Sequence, residues 1–158
     1  MDKKIINQLV SGITELGLEV EDSQIEKLLA FLVLLKKWNS KFNLSGVADI
    51  ESMVSLHLLD SLAISSHLRG EIFVDFGSGG GLPGIPLAII NPDKKFVLID
   101  SNGKKTRFLF QVKTELALSN VSVENCRIEH YQNKQQIDMV MCRAFSTLED
   151  AVDKLQPL

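Results

Sequence analysis

Apolar positions along the chain change their period near Arg69–Gly70. Upstream they recur at helical spacing. The segment DSQIEKLLAFLVLLKKWNSKF (22–42) carries a wide apolar stripe, and Ser23 and Glu26, three apart, predict a capping box at its start. A weaker helix precedes it and is expected to stop at Gly17. A third, IESMVSLHLLDSLAISSHL (50–68), follows the loop NLSGVAD. Downstream the chain alternates. EIFVDF (71–76), KFVLID (95–100), VSVEN (121–125) and IDMVMC (137–142) read as strands. Helices are expected from near Pro83, over 103–118 and near 147–156. Strands alternating with helices predict an α/β fold with a parallel sheet covered on both faces. The division implied is an N-terminal helical region, 1–69, packed on a sheet domain, 70–158.

Composition narrows the class. The 158 residues are 45% apolar and 23% charged, enough for a buried core and ordinary for a globular chain. The longest apolar run, LLAFLVLL (28–35), is eight residues, so a membrane location is not expected. The start, MDKKIINQL, lacks the apolar core of a secretory signal. Cys126 and Cys142 make neither a CxxC pair nor a disulfide framework, which points to a reducing cytoplasm. A net charge of −3 argues against a general nucleic-acid coat protein, DNA included. The charge is uneven, however. Residues 94–113 carry six cations against Asp100 alone, a local balance of +5, which is a solvated helix face or a basic edge beside a ligand.

The candidate chemistry sits in VDFGSGGGLPGIPLAI (74–89), a glycine loop between a strand and a helix. Open parallel sheets bind ligands beyond the carboxyl ends of their strands, where this loop falls. It is not a P-loop, since no Gly-Lys-Ser/Thr closes it. Gly79-x-Gly81-x-x-Gly84 matches the dinucleotide fingerprint, so a nicotinamide or flavin oxidoreductase has to be weighed. Against it stands Asp75, two residues before Gly77, whose carboxylate would repel a pyrophosphate. S-adenosylmethionine has no phosphate and carries two cations that an acid attracts. Asp75-x-Gly77-x-Gly79-x-Gly81 therefore favours that cofactor. Asp100 closes the second strand, where an acid accepts ribose hydroxyls or caps the following helix.

WNSKFNLS (38–45), HLLDSL (57–62), the glycine loop with GLPGIPL, LIDSNGKKTRFLFQV (98–112), CRIEHY (126–131) and MCRAFSTL (141–148) together resemble the glucose-inhibited division protein B family. The likeness runs in order through nearly the whole chain. It implies a Rossmann-like methyltransferase that uses S-adenosylmethionine to methylate N7 of a guanine in the decoding-region loop of 16S ribosomal RNA. The partner is then that RNA or the 30S particle, and the chain is expected to be a monomer. The family's cofactor contacts fall on Gly77, Leu82, Ile128, Glu129, Arg143 and Asp100. Ile128 follows a parallel strand, placed to cover an adenine face, and Glu129 is otherwise a solvated acid. Arg143, directly after an apolar strand, needs a carboxylate or ligand partner. The family sheet has seven strands, so the four read here leave it incomplete. A non-catalytic module binding cofactor or ribosome through the same surface is the other reading.

The rest is structural. Guanine N7 bears no proton, so no catalytic base is assigned. His57 and Asp60, at i and i+3, are two potential metal ligands without a third, and a mutual hydrogen bond or helix packing accounts for them better. Cys142 lacks the proline that precedes a nucleophilic cysteine in carbon-5 pyrimidine methyltransferases. Trp38, Phe42 and Leu44 are expected in the core.

Overall fold

The computed structural model describes residues 2–132 and 136–143. Two helices open the chain, α1 (Lys3–Glu15) and α2 (Asp22–Phe42). Gly17, at φ 67°, ends the first, as expected. The capping box on α2 is built two residues earlier than the spacing suggested. Glu21 and Gln24 exchange the reciprocal bonds, not Ser23 and Glu26, and the helix starts at Asp22. Next come α3 (Ile50–Met53), a π-helical segment Val54–Leu59, α4 (Asp60–Leu62) and a 3₁₀ turn Ser65–His67, so the expected third helix stops short of residue 68.

The strands β1 (Ile72–Phe76), β2 (Lys95–Ile99), β3 (Val121–Glu124) and β4 (Met139–Cys142) lie within a residue or two of the expected runs. All pair in parallel, in the order β3-β2-β1-β4. α5 (Gly84–Ile90) joins β1 to β2, with Pro83 at its N-cap rather than its first turn. α6 (Gly103–Glu115) joins β2 to β3. These two crossovers step the same way along the sheet. Right-handed connections therefore put both helices on one face. β4 then pairs on the far side of β1, so the order reverses beside β1. That switch point is where an open α/β sheet leaves a crevice.

The two faces are unequal. Phe73, Phe96, Leu98 and Val123 belong to one apolar core with α5, α6 and the buried stripes of α1 and α2. Val74, Val97 and Ile99 face the other way, where Ile128 and Tyr131 cover them. Helical cover on both faces was expected. Among the described residues, the second face meets Cys126, Ile128, Tyr131 and Ile137, and the helix expected near 147–156 lies outside them. Phe108 welds the helical region to the sheet layer, its ring 6.4 Å from Phe31 and 5.5 Å from Trp38. Trp38 is half-buried there, while Phe42 stays exposed at its edge.

Candidate functional site

β1 and β2 end side by side, Phe76 opposite Ile99, and the chain continues from each into a loop at the crevice. The glycine loop folds back on itself. The N–H groups of Gly77 and Ser78 both donate to the Ile99 carbonyl, and those of Gly81 and Leu82 to the Ser78 carbonyl. Gly77, Gly79 and Gly81 all take positive φ, which lets so many turns close within five residues. The remaining bonds come from the two acids. Gly79 N–H donates to Asp100 Oδ2 at 2.9 Å and Gly84 N–H to Asp75 Oδ2 at 2.9 Å.

Asp100 holds three pieces together. Its second oxygen accepts the Asn102 N–H at 2.8 Å, and its backbone carbonyl accepts from the Asn125 amide. The helix cap itself is Asn102, which accepts from Lys104 N–H, so Asp100 steadies the approach to α6 rather than capping it. Lys105 leans back from the first turn of α6 to 3.9 Å from Asp100.

Two cavities open at this end of the sheet. One, of about 310 Å³, is lined by Gly77, Asp100, Lys105, Ile128 and Glu129 among others. Ile128 is buried at its base, against Val74 and Ile99, and Glu129 is exposed at its rim. The second, of about 290 Å³, lies on the other side of Gly77 and Lys105, lined by Ser45, His57, Gly79, Leu82 and Arg143. The structure thus gathers Gly77, Asp100, Ile128 and Glu129 in one cavity and Gly79, Leu82 and Arg143 in its neighbour. Gly81 sits in the loop between, backed by Ile85 and Leu109.

The second cavity has a rigid wall. In the π-helical segment Asp60 N–H donates to the carbonyls of His57 and Ser55, three and five residues back, and bypasses that of Leu56. π turns free backbone groups in this way and recur at functional sites. The released Leu56 carbonyl receives Arg143 Nη2 at 2.8 Å and lies 3.0 Å from His57 Nδ1. Arg143 Nη1 stands 3.3 Å from the Asp60 carboxylate, which supplies the partner its position demanded. His57 Nε2 meets the Ser45 hydroxyl. Burial above all, with the Arg143 charge, pulls the His57 pKa below its ordinary value, against the Leu56 bond and Asp60. The ring is therefore neutral at pH 7, with Nδ1–H donating to Leu56 and Nε2 accepting from Ser45. Of the two expected roles, a mutual hydrogen bond with Asp60 is not formed, and His57 is instead buried in the helix packing. Among the described residues there is also no group of three acids, cysteines or histidines that would hold a metal.

The family model described as rRNA small subunit methyltransferase G matches residues 24–158. The chain belongs to that family. Its curated relatives carry the same name. The chain is 53% identical over 148 residues to the protein of Ectopseudomonas mendocina, covering 92% of this chain and 69% of the relative. It is 49% identical over 158 residues to that of Nitrosococcus oceani, covering all of this chain and 74% of the relative. For the Marinomonas protein the figures are 46% over 147 residues, 93% and 71%. The small subunit methyltransferase G family uses S-adenosylmethionine as methyl donor.

The cleft of this methyltransferase fits that donor by its hydrogen-bonding capacity. A pyrophosphate needs free N–H groups, and those of Gly77, Ser78, Gly79, Gly81, Leu82 and Gly84 are all taken by acceptors within the protein. The first cavity instead presents the carboxylates of Asp100 and Glu129, beside Lys105 and Arg127, as acceptors suited to ribose hydroxyls and cationic groups.

Asp75 does not itself face either cavity. That side chain has no exposed surface and lies beneath the loop, so a direct contact with cofactor is corrected to a support for the turn. Its charge is muted as well. Burial lifts its carboxyl to about 7, with the nearby Asp100 adding to the rise and the Gly84 N–H opposing it. Burial of an acid at a strand end is not visible in residue type. Lys105, read from sequence as part of a solvated helix face or a basic edge beside a ligand, lies at the cavities, because the first turn of a helix after β2 points back over the strand end. His57 was read from sequence as structural, Ser45 was not singled out, and the Leu56 carbonyl was missed because a π turn leaves no residue signature.

Proposed function

We propose that this chain methylates N7 of a guanine in the decoding-region (530) loop of 16S ribosomal RNA, acting as a monomer in the cytoplasm on the RNA or the 30S particle. The observation that carries the reading is the accounting at the crevice. The N–H groups of Gly77, Ser78, Gly79, Gly81, Leu82 and Gly84 go to acceptors within the protein, while the Asp100 carboxylate lies at a cavity bounded by Gly77, Ile128 and Glu129. In this reading Gly77, Asp100, Ile128 and Glu129 hold the adenosine end of S-adenosylmethionine, and Gly79, Gly81, Leu82 and Arg143 bound its other end. Asp75 keeps the turn in shape. Residues 1–69 act as a helical region that walls the substrate side of the methyltransferase domain, 70–158.

S-adenosylmethionine, when bound, supplies an electrophilic methyl group. Guanine N7 offers a lone pair and carries no proton, so the protein has to place the base and exclude water rather than remove a proton. The second cavity suits that task. His57, neutral and held at both ring nitrogens, is a fixed wall and not a base. Arg143 is committed to Leu56 and Asp60, which spreads its charge away from an N7 that becomes cationic on methylation.

Calorimetric titration with S-adenosylmethionine, with NAD as control, tests the cofactor site. Asp100→Ala should weaken binding by about two to four orders of magnitude, because two hydrogen bonds to a carboxylate are worth about 1.5–3 kcal/mol each. It should also lower stability by about 1–3 kcal/mol, since Gly79 N–H loses its acceptor. Unchanged affinity in the folded variant would remove the ribose role. Methylation of 30S particles, followed by borohydride reduction and aniline cleavage, should cut the RNA at the modified guanine. Methyl incorporation without cleavage would place the methyl on another atom.

A further inference from the structure

A third concavity lies outside the cleft and is much larger. An open groove of about 900 Å³ runs between the C-terminal half of α2 and the 43–50 loop. Lys36, Lys37, Asn39, Ser40 and Asn43 line it, and no carboxylate is among its lining residues. Its far end is formed by Ser45 and Gly46, which also line the cavity holding His57, Leu82 and Arg143. Groove and cleft therefore adjoin, with Ser45 and Gly46 at the step between them.

The step is fixed in place. The Asn39 side chain accepts the Ser45 N–H at 2.7 Å and donates to the Val47 carbonyl at 3.1 Å. Ser45 Oγ accepts the Val47 N–H and reaches His57. Leu44 presses on the glycine loop itself, its carbonyl 3.4 Å from where a Cβ on Gly80 would lie. Such a floor needs no ordering when a ligand arrives. Asp49 is the carboxylate near Lys36, and it is engaged as the N-cap of α3, accepting the Ser52 N–H at 2.7 Å.

We propose that this groove carries the phosphate backbone of the RNA strand that leads the target base into the cleft, with Lys36 and Lys37 as its phosphate contacts. The proposal rests on RNA being the substrate. The lining offers cations and amides, as a polyanion requires, on a chain whose net charge of −3 otherwise repels one. The basic α6 edge is a poorer track. Lys105 is turned into the cleft toward Asp100, which leaves Lys104 and Arg107 without it. Adjacency to the cleft favours a single strand, whose bases can be splayed out individually.

The test is binding of a fluorescein-labelled single-stranded RNA oligonucleotide to the full chain over a range of salt, for wild type and the double variant Lys36→Gln, Lys37→Gln. Both lysines are exposed, so folding is not at risk. Lys95→Gln, at the opposite end of the sheet, is the control. Loss of two phosphate contacts should reduce the slope of log affinity against log salt by about 1.4 and weaken binding roughly ten- to thirty-fold near 0.1 M salt. S-adenosylmethionine affinity should not change. An unaltered slope, or an equal loss in Lys95→Gln, overturns the groove. Wild type that methylates 30S particles while the double variant keeps full RNA affinity also overturns it, and leaves the proposed function standing. A slope that falls as expected in a chain that methylates nothing would support the groove and sink the methylation reading.

Discussion

Asp75→Asn should gain stability relative to wild type as pH rises from 4 to 8, by about 4 kcal/mol. The folded carboxyl titrates at about 7, against about 3.9 in an unfolded chain. The folded state therefore holds a proton through that window that the unfolded state has lost, and wild-type stability falls as pH rises. The contribution is fully present below the unfolded value and gone above 7. Asparagine can still offer an oxygen to Gly84 N–H, but its amide nitrogen then occupies the place of Oδ1, which has no hydrogen-bond partner among the described residues. That penalty is the same at every pH, so the quantity to read is the change in the difference between the two proteins. Urea unfolding of both at several pH values provides it. Parallel curves would mean that Asp75 is ionised in the folded protein at pH 4 and that the buried carboxyl is matched by a cation.

Gly84→Ala should cost about 3–5 kcal/mol and disable the cofactor site with it. A Cβ at this position would lie 2.3 Å from Leu98 Cδ2 and 2.6 Å from Asp75 Oδ2. Both neighbours are fully buried, Leu98 in the sheet and Asp75 beneath the loop, so neither side chain has room to swing away. Overpacking alone costs about 1–3 kcal/mol. Moving the backbone to relieve it breaks the Gly84–Asp75 bond and leaves both oxygens of a buried carboxyl unpaired, at about 1–3 kcal/mol more. Gly46→Ala is the matched control, because a Cβ there meets nothing within 4 Å, and it should stay within about 0.5 kcal/mol of wild type. A Gly84→Ala protein as stable as the control would show that the third glycine of the fingerprint tolerates a side chain and that helix α5 is not seated on Asp75.

The sheet was legible because parallel strands buried on both faces are written as short apolar runs. FVDF and FVLI sit in the structure almost where the pattern put them. The glycine loop was legible for a similar reason, since only backbone that must turn sharply spends five glycines in eight residues. What sequence placed wrongly depends on geometry several residues away. Whether Glu21 or Ser23 caps α2 is settled by where the helix first finds tertiary support. Gln24 reaches the Ile89 carbonyl as well as the Glu21 backbone. Asp75 reads as an exposed acid at a strand end, yet alternation turns it to the same face as Phe73, under α5. Lys105 belongs by sequence to a cluster of cations, and only the proximity of the α6 start to Asp100 separates it from them.

The π-helical segment has a consequence for how this chain tolerates change in length. Residues 54–59 form a turn that holds one more residue than an α-helical turn would. Deleting the exposed Ser55 would let the helix close in ordinary register without removing a core side chain. The Leu56 carbonyl would then be returned to the helix, and Arg143 and His57 would lose their shared acceptor together. Here a shortening that looks benign by every local criterion is the one that dismantles the wall of the cleft, so the surplus residue is the feature under constraint, more than the identity of any side chain around it.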